Sequence, residues 1–313
     1  MKDQINKRKN IVSVFFTEFI RFRGVFNWSA ISFIGFILGM SSLNLTDYLI
    51  PFLVFLASAF CILSFTFAIN NYYDIESDKR NPKKIHYNAM ASGKISKKTG
   101  AALNAIFVIV PLIVSFLFKL EIFLGSLLLI FWMWIYSSPP LRLKGRPGLD
   151  IIWHFFAFVL LVMWGSLISG SLGLINWLVA ISIAVFSCIA QILNHFHDYE
   201  FDKESGTETY AVRKGLDATK TALKIVIVLH FVSLIPLILL YSLEYFYTIA
   251  ILILSVLLSL FLQKIKRDSL VTSAGYFPVI LGFTVYLNCI IYHVSILLGE
   301  PTIGLSLLSV YFP

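Results

Sequence analysis

Asn70-Asn-Tyr-Tyr-Asp74-Ile-Glu-Ser-Asp78 stands where an apolar run over residues 48–73 ends and a charged loop begins. A second stretch, Asn194-His-Phe-His-Asp198-Tyr-Glu-Phe-Asp202, repeats the pattern N-x-x-x-D-x-x-x-D 124 residues later, again where an apolar run stops. On a helix, a spacing of four stacks side chains on one face, with Cβ atoms roughly 5–6 Å apart. Each stretch is therefore expected to present an amide and two carboxylates as a column at a helix C-terminus. That end carries the negative pole of the helix dipole, which disfavours further negative charge. Two carboxylates ~6 Å apart at an effective dielectric of ~20 repel by roughly 3 kcal/mol. A divalent cation is the simplest relief.

The composition around these columns is that of a membrane protein. Of 313 residues, 58% are hydrophobic and 13% charged, and the mean hydropathy is +0.84. Soluble domains are nearer a quarter charged. Apolar runs near 20 residues recur along the chain, and in lipid they must close their backbone hydrogen bonds as helices. The three cysteines, Cys61, Cys188 and Cys289, lie far apart inside apolar runs. They are expected to be buried or lipid-facing thiols with no disulfide. Residues 1–24 hold six Lys/Arg and no apolar core followed by a small-residue cleavage site, so no cleaved signal peptide is expected.

Nine spans are expected, at 25–43, 48–73, 98–118, 120–137, 151–171, 173–196, 219–241, 244–263 and 272–297. The N-terminal arm and the loops after spans 2, 4, 6 and 8 carry 23 of the 25 Lys/Arg, and Lys119 alone lies on the other side. The positive-inside rule then places the N-terminus and these loops in the cytoplasm and the C-terminus outside. The net charge of +8 follows from this topology and does not call for nucleic acid. The expected organisation is a cytoplasmic arm at 1–24, a nine-helix domain at 25–297, and a short tail at 298–313. The cytoplasmic loops fall at 74–97, 138–150, 197–218 and 264–271. A weak two-fold repeat of four-helix blocks would set the two columns opposite each other. Gly165, Gly170 and Gly173 bracket an outer turn and are expected to serve close helix packing.

A single acidic column is equally well a solvated loop start. Two copies at matched places, each opening on Asn, favour a site. Oxygen-only donors suit Mg²⁺ over zinc. Mg²⁺ keeps waters and accepts one or two carboxylates plus phosphate oxygens, so a sparse acidic site implies a phosphorylated or diphosphate ligand. Basic residues follow: Lys79, Arg80, Lys83 and Lys84 after the first column, Lys203 and Arg213 after the second. Between them lies Tyr136-Ser-Ser-Pro-Pro-Leu-Arg142-Leu-Lys144-Gly-Arg146, where two prolines stop span 4. Most of these cations are topology markers. A ligand role is assigned to Lys144, Arg146 and Lys203, with Arg23 and Arg213 behind them. His195 and His197 point to different faces of a helix and lack a cysteine, so they are expected to pack or hydrogen-bond.

At these residues the chain resembles the UbiA superfamily of intramembrane prenyltransferases. The likeness is carried by Asn70, Asp74 and Asp78, by the YSSPPLRLK stretch ending at Lys144, and by DYEFDKESGTETYAVRKG from Asp198 to Gly215. Arg23 before Trp28 and the nine-span count extend it over most of the chain. The resemblance implies an all-α membrane protein with helices bundled around a central cavity. By position it implies that Asp74, Asp78, Asp198 and Asp202 bind Mg²⁺, assisted by Asn70 and Asn194. Lys144, Lys203 and Arg23 would hold an isoprenyl diphosphate. Two departures stand out: Asn71 replaces an Asp common in the family, and Arg80-Asn-Pro-Lys-Lys replaces the usual R-P-I-P-S-G-like run. The second bears on the acceptor, because members share the diphosphate chemistry and differ in what they prenylate.

The expected function is Mg²⁺-dependent prenyl transfer to a lipophilic acceptor of the quinone-precursor, ether-lipid or carotenoid type, with release of diphosphate. The expected setting is the cell membrane, among membrane lipids, with the site open to the cytoplasm. The alternative from another class is a divalent-cation or proton-coupled transporter. Against it, the acids sit at helix ends and not at mid-span. A membrane phosphotransferase is a further rival, and its D-G-x-x-A-R opening is missing.

Overall fold

The computed structural model describes residues 10–82, 84–240, 253 and 270–299, and contains no strand among them. Among the described residues, seven helices are long and apolar enough to cross a membrane. They are α3 (Leu45–Tyr73), α5 (Lys97–Phe118), α6 (Leu120–Ser137), α7 (Leu149–Ser169), α8 (Leu174–His197), α11 (Leu216–Leu240) and α12 (Leu270–Leu297). The shorter α1 (Ile11–Val14), α2 (Phe22–Leu38), α4 (Ile75–Lys79), α9 (Tyr199–Ser205) and α10 (Tyr210–Lys214) lie between and before them. The protein is an all-α integral membrane protein. The eighth expected span, at 244–263, lies outside the described residues except for residue 253, and Lys83, Lys264, Lys266, Arg267 and most of the tail lie outside them too.

The first span differs from its expected bounds. It begins at Phe22 and ends at Leu38, which gives 17 residues and a rise of roughly 26 Å. The chain beyond it is folded back by polar contacts: the Tyr48 hydroxyl accepts from the backbone N–H groups of Ser41 and Ser42 at 2.7 and 3.2 Å. Serines and glycine are too apolar in aggregate to show this ending in a hydropathy pattern.

The chain forms two compact units, and α2 and α3 each contribute to both. The first comprises residues 1–30 and 53–142. Within it, α1 runs into a π-helical turn, Phe15–Phe19, whose Phe15 and Phe19 rings lie 6.4 and 6.5 Å from Phe107 of α5. Glu18 on this turn is 2% exposed and takes two hydrogen bonds from Lys94 Nζ, at 2.9 and 2.7 Å. The pair fastens the arm to the loop ahead of α5. Gly24 is where α2 meets α3, since a Cβ there would stand 2.5 Å from the Phe67 ring.

The second unit comprises residues 31–52 and 143–313. Here the expected close packing at Gly165 is present. A Cβ at Gly165 would lie 2.0 Å from the Ser32 carbonyl oxygen, and one at Gly35 equally near that of Val162. The same seam carries hydrogen bonds from Ser32 Oγ to the Leu161 carbonyl (2.7 Å) and from Ser166 Oγ to that of Gly35 (2.9 Å). Lipid gives helices no hydrophobic drive to associate, so backbone contact and hydroxyl bonds hold the seam. All three cysteines are buried and free, as expected.

Candidate active site

Both columns break at the same residue and in the same way. Helix α3 ends at Tyr73 and Asp74 caps α4 with φ −96° and ψ 4°; α8 ends at His197 and Asp198 caps α9 with φ −95° and ψ 0°. The sparsely populated bridge region, home to many active-site residues, holds both aspartates. The break corrects the expectation of one unbroken helical face. The four-residue rhythm nonetheless survives in the backbone. Asp74 N donates to the Asn70 carbonyl (3.1 Å) and Asp78 N to that of Asp74 (2.8 Å); the Asp198 and Asp202 counterparts measure 2.9 and 2.8 Å.

In the first column, Asn70 Oδ1 accepts from Ser137 Oγ at 2.9 Å. Asp74 Oδ1 pairs with Arg142 Nη2 at 3.2 Å. Asp78 is buried, and its Oδ2 accepts from Asn88 Nδ2 at 2.9 Å. Burial raises the Asp78 carboxyl above its ordinary value, opposed by the Asn88 bond, while the Asp74 charge adds to the rise. Arg21, partly buried, lies within the electrostatic reach of both acids. Burial lowers its affinity for a proton, and Asp78 and Asp74 pull the other way. Its Nη2 donates to Asn71 Oδ1 at 2.6 Å, and its buried Nε has no partner among the described residues.

In the second column, Asn194 and Asp198 are exposed and their side chains have no partner among the described residues. Asp202 is buried. One turn earlier, buried His195 meets Asp150 of α7 through Nε2 at 2.5 Å, and Gln191 Nε2 donates to the same Asp150 oxygen at 2.9 Å. His197 is exposed and its Nδ1 lies 2.9 Å from the Leu193 carbonyl. Both histidines thus hydrogen-bond, as the sequence leads one to expect.

The expected basic ligands stand on several elements. Arg23 is exposed and lines a cavity of about 600 Å³ in the first unit, together with Arg21, Phe16, Phe22, Phe26 and Tyr87. Lys144 lies in a 3₁₀ turn, Leu143–Gly145, with Arg146 just after it. Lys203 stands on α9 with Nζ 6.0 Å from the centre of the Tyr199 ring. Arg213 on α10 pairs with Glu208 at 2.8 Å, both well exposed. Two cations that sequence reasoning passed over act on the first column: Arg21 through its charge, and Arg142, read there as a topology marker, through its ion pair with Asp74. Both hold left-handed backbone angles, φ 52° and 37°. Nothing in the local pattern announces that.

Among the described residues no three His, Cys, Asp or Glu side chains gather closely enough to hold one ion. Each column offers two carboxylates and an amide oxygen. Such a partial, all-oxygen set fits Mg²⁺, which completes its octahedron with water and phosphate oxygens.

Comparison with known proteins gives these features a class. The UbiA prenyltransferase family model matches residues 19–306. A lycopene elongase/hydratase from Corynebacterium glutamicum is 27% identical over 195 residues, covering 59% of this chain and 65% of the relative, so the chain spans about two thirds of that protein's length. A digeranylgeranylglyceryl phosphate synthase from Sulfolobus acidocaldarius is 29% identical over 245 residues, 78% of this chain and 84% of the relative. A solved UbiA homolog from Archaeoglobus fulgidus, bound to GPP and Mg²⁺, superposes with a TM-score of 0.66 at 21% identity, over 90% of this chain and 99% of that one. The fold is thus that of a helical intramembrane protein of this type. The chain belongs to the UbiA prenyltransferase family.

Proposed function

We propose that this protein transfers a prenyl group from an isoprenyl diphosphate to a lipophilic acceptor. The observation that carries the reading is the duplicated break, which gives Asp74 and Asp198 one backbone conformation at the heads of two acidic columns. Bound Mg²⁺ would draw charge off the departing diphosphate. Asp74, Asp78, Asp198 and Asp202 would hold it, with Asn70 and Asn194 adding amide oxygens. Arg21, Arg142, Lys144, Arg146 and Lys203 would share the phosphate charge, with Arg23 and Arg213 at greater remove. Fixed charges of this kind stabilise a leaving group without reorganising during the reaction. Apolar surroundings would exclude water, so that the acceptor captures the allylic carbon before hydrolysis does.

The relatives, a lycopene elongase/hydratase and a digeranylgeranylglyceryl phosphate synthase, support two acceptor classes, a lycopene-type polyene and a glyceryl phosphate lipid. The distribution of Lys and Arg supports an orientation with both columns at the cytoplasmic face of the cell membrane. The test is transfer from a radiolabelled prenyl diphosphate by purified protein supplied with extracted membrane lipids. Label should enter a lipid product with Mg²⁺ and not with a chelator. Label transfer that persists at full rate in Asp74→Ala would overturn the reading.

A further inference from the structure

Asn71 directly follows the first residue of the first column and is fully buried. Its Nδ2 donates to the carbonyl oxygens of Glu18 and Phe19, both at 2.9 Å, and its Oδ1 accepts from Arg21 Nη2 at 2.6 Å. Both donors and the acceptor of this amide are therefore committed to one short segment of the N-terminal arm. On the other side, the Asn71 carbonyl accepts from Asn88 Nδ2 at 2.8 Å, and the same Asn88 nitrogen reaches Asp78. One residue thus joins the arm to the acidic column.

The segment it grips is strained. Arg21 sits at φ 52°, a conformation that costs a non-glycine residue roughly 1–2 kcal/mol. The turn persists only where surrounding contacts over-determine it. An aspartate at position 71 could not supply them, because a carboxylate oxygen would face two carbonyl oxygens with no proton between.

We propose that Asn71 is a positioning residue for the donor: it fixes the left-handed turn that aims the Arg21 guanidinium at the first column. This rests on the first column being the diphosphate site. The replacement of an acid by an amide thus converts a would-be metal ligand into a clamp on the arm.

The test compares Asn71→Ala, Asn71→Asp, Arg21→Gln and the double variant Asn71→Ala/Arg21→Gln in the prenyl-transfer assay. Each Asn71 variant should raise KM for the prenyl diphosphate by about tenfold with kcat held within about threefold, the loss expected for one charge-assisted hydrogen bond. In the Arg21→Gln background, Asn71→Ala should add less than about twofold, because its effect is already spent. A KM unaltered by Asn71→Ala overturns the proposal, and so does an equal rise in both backgrounds, which would mark a general loosening. Failure of both Asn71 variants to accumulate in membranes would assign the residue to folding and overturn it too. Dependence on Asp74 separates the two levels. If Asp74→Ala is inactive while the Asn71 variants bind donor normally, only the positioning role falls. If Asp74→Ala is active, the site itself falls.

Discussion

Asp78 and Asp202 hold the same place in their columns and are both buried, at 8% and 6% exposure. Asp74 and Asp198, one turn before them, live in different electrical settings. Asp74 pairs with Arg142 and lies within the field of Arg21; Asp198 is exposed and has no side-chain partner among the described residues. The first column is thus balanced by the chain's own cations and held by the amides of Asn71 and Asn88. The second is braced one turn away, by His195 against Asp150, and leaves its leading carboxylate open. One backbone motif thus carries an ion-paired leading carboxylate in one unit and an open one in the other.

The largest effect should ignore that difference. Asp74→Ala and Asp198→Ala should each reduce prenyl transfer by about a hundredfold or more, the scale for removing a fixed group that stabilises developing charge. Each variant protein should remain at wild-type levels in membranes by immunoblot. A loss confined to Asp74 would reduce the second column to a solvated loop start.

Next, His195→Ala should destabilise the protein by about 3 kcal/mol, because it leaves the Asp150 carboxylate buried without its imidazole. His197→Ala, at an exposed site, should change thermal stability little. Equal effects would remove the brace from the account of the second column.

A smaller effect should run in the opposite direction. Burial raises the Asp78 carboxyl, so the folded state holds a proton there more tightly than the unfolded one. The stability this contributes is complete below the ordinary carboxylate value and is lost as pH rises through the raised one. In chelator at neutral pH, Asp78→Asn should therefore raise Tm by about 2 °C, and the gain should vanish on acidification. The exposed Asp198 should give no such gain on conversion to Asn. The smallest change is expected for Arg142→Ala: an ion pair with Arg142 44% exposed contributes no more than about 1 kcal/mol, read as a slight fall in Tm.

Much of this was legible from the sequence. The apolar runs matched seven of the described helices to within three residues at each end, because lipid enforces a simple relation between hydropathy and length. The four-residue spacing of Asn70, Asp74 and Asp78 identified the columns because the backbone keeps that rhythm even through the break. The break itself was not legible, since neither glycine nor proline stands at 74 or 198. Arg21 and Asn71 were missed as a pair for a related reason. They are 50 residues apart, and a hydrogen bond of that span leaves no local periodicity. Asn71 even looked like a lost ligand, because a change of residue type does not tell which way a side chain turns.

The Glu18–Lys94 pair and the Asn71 clamp make the stretch from Phe15 to Arg21 a working part of the molecule, although in one dimension it looks like a leader before the first span. Shortening the chain past Phe15 to improve expression, or fusing a rigid partner there, would unseat the Arg21 guanidinium bonded to Asn71 without touching an aspartate. Engineers of this protein should place their tags upstream of that turn.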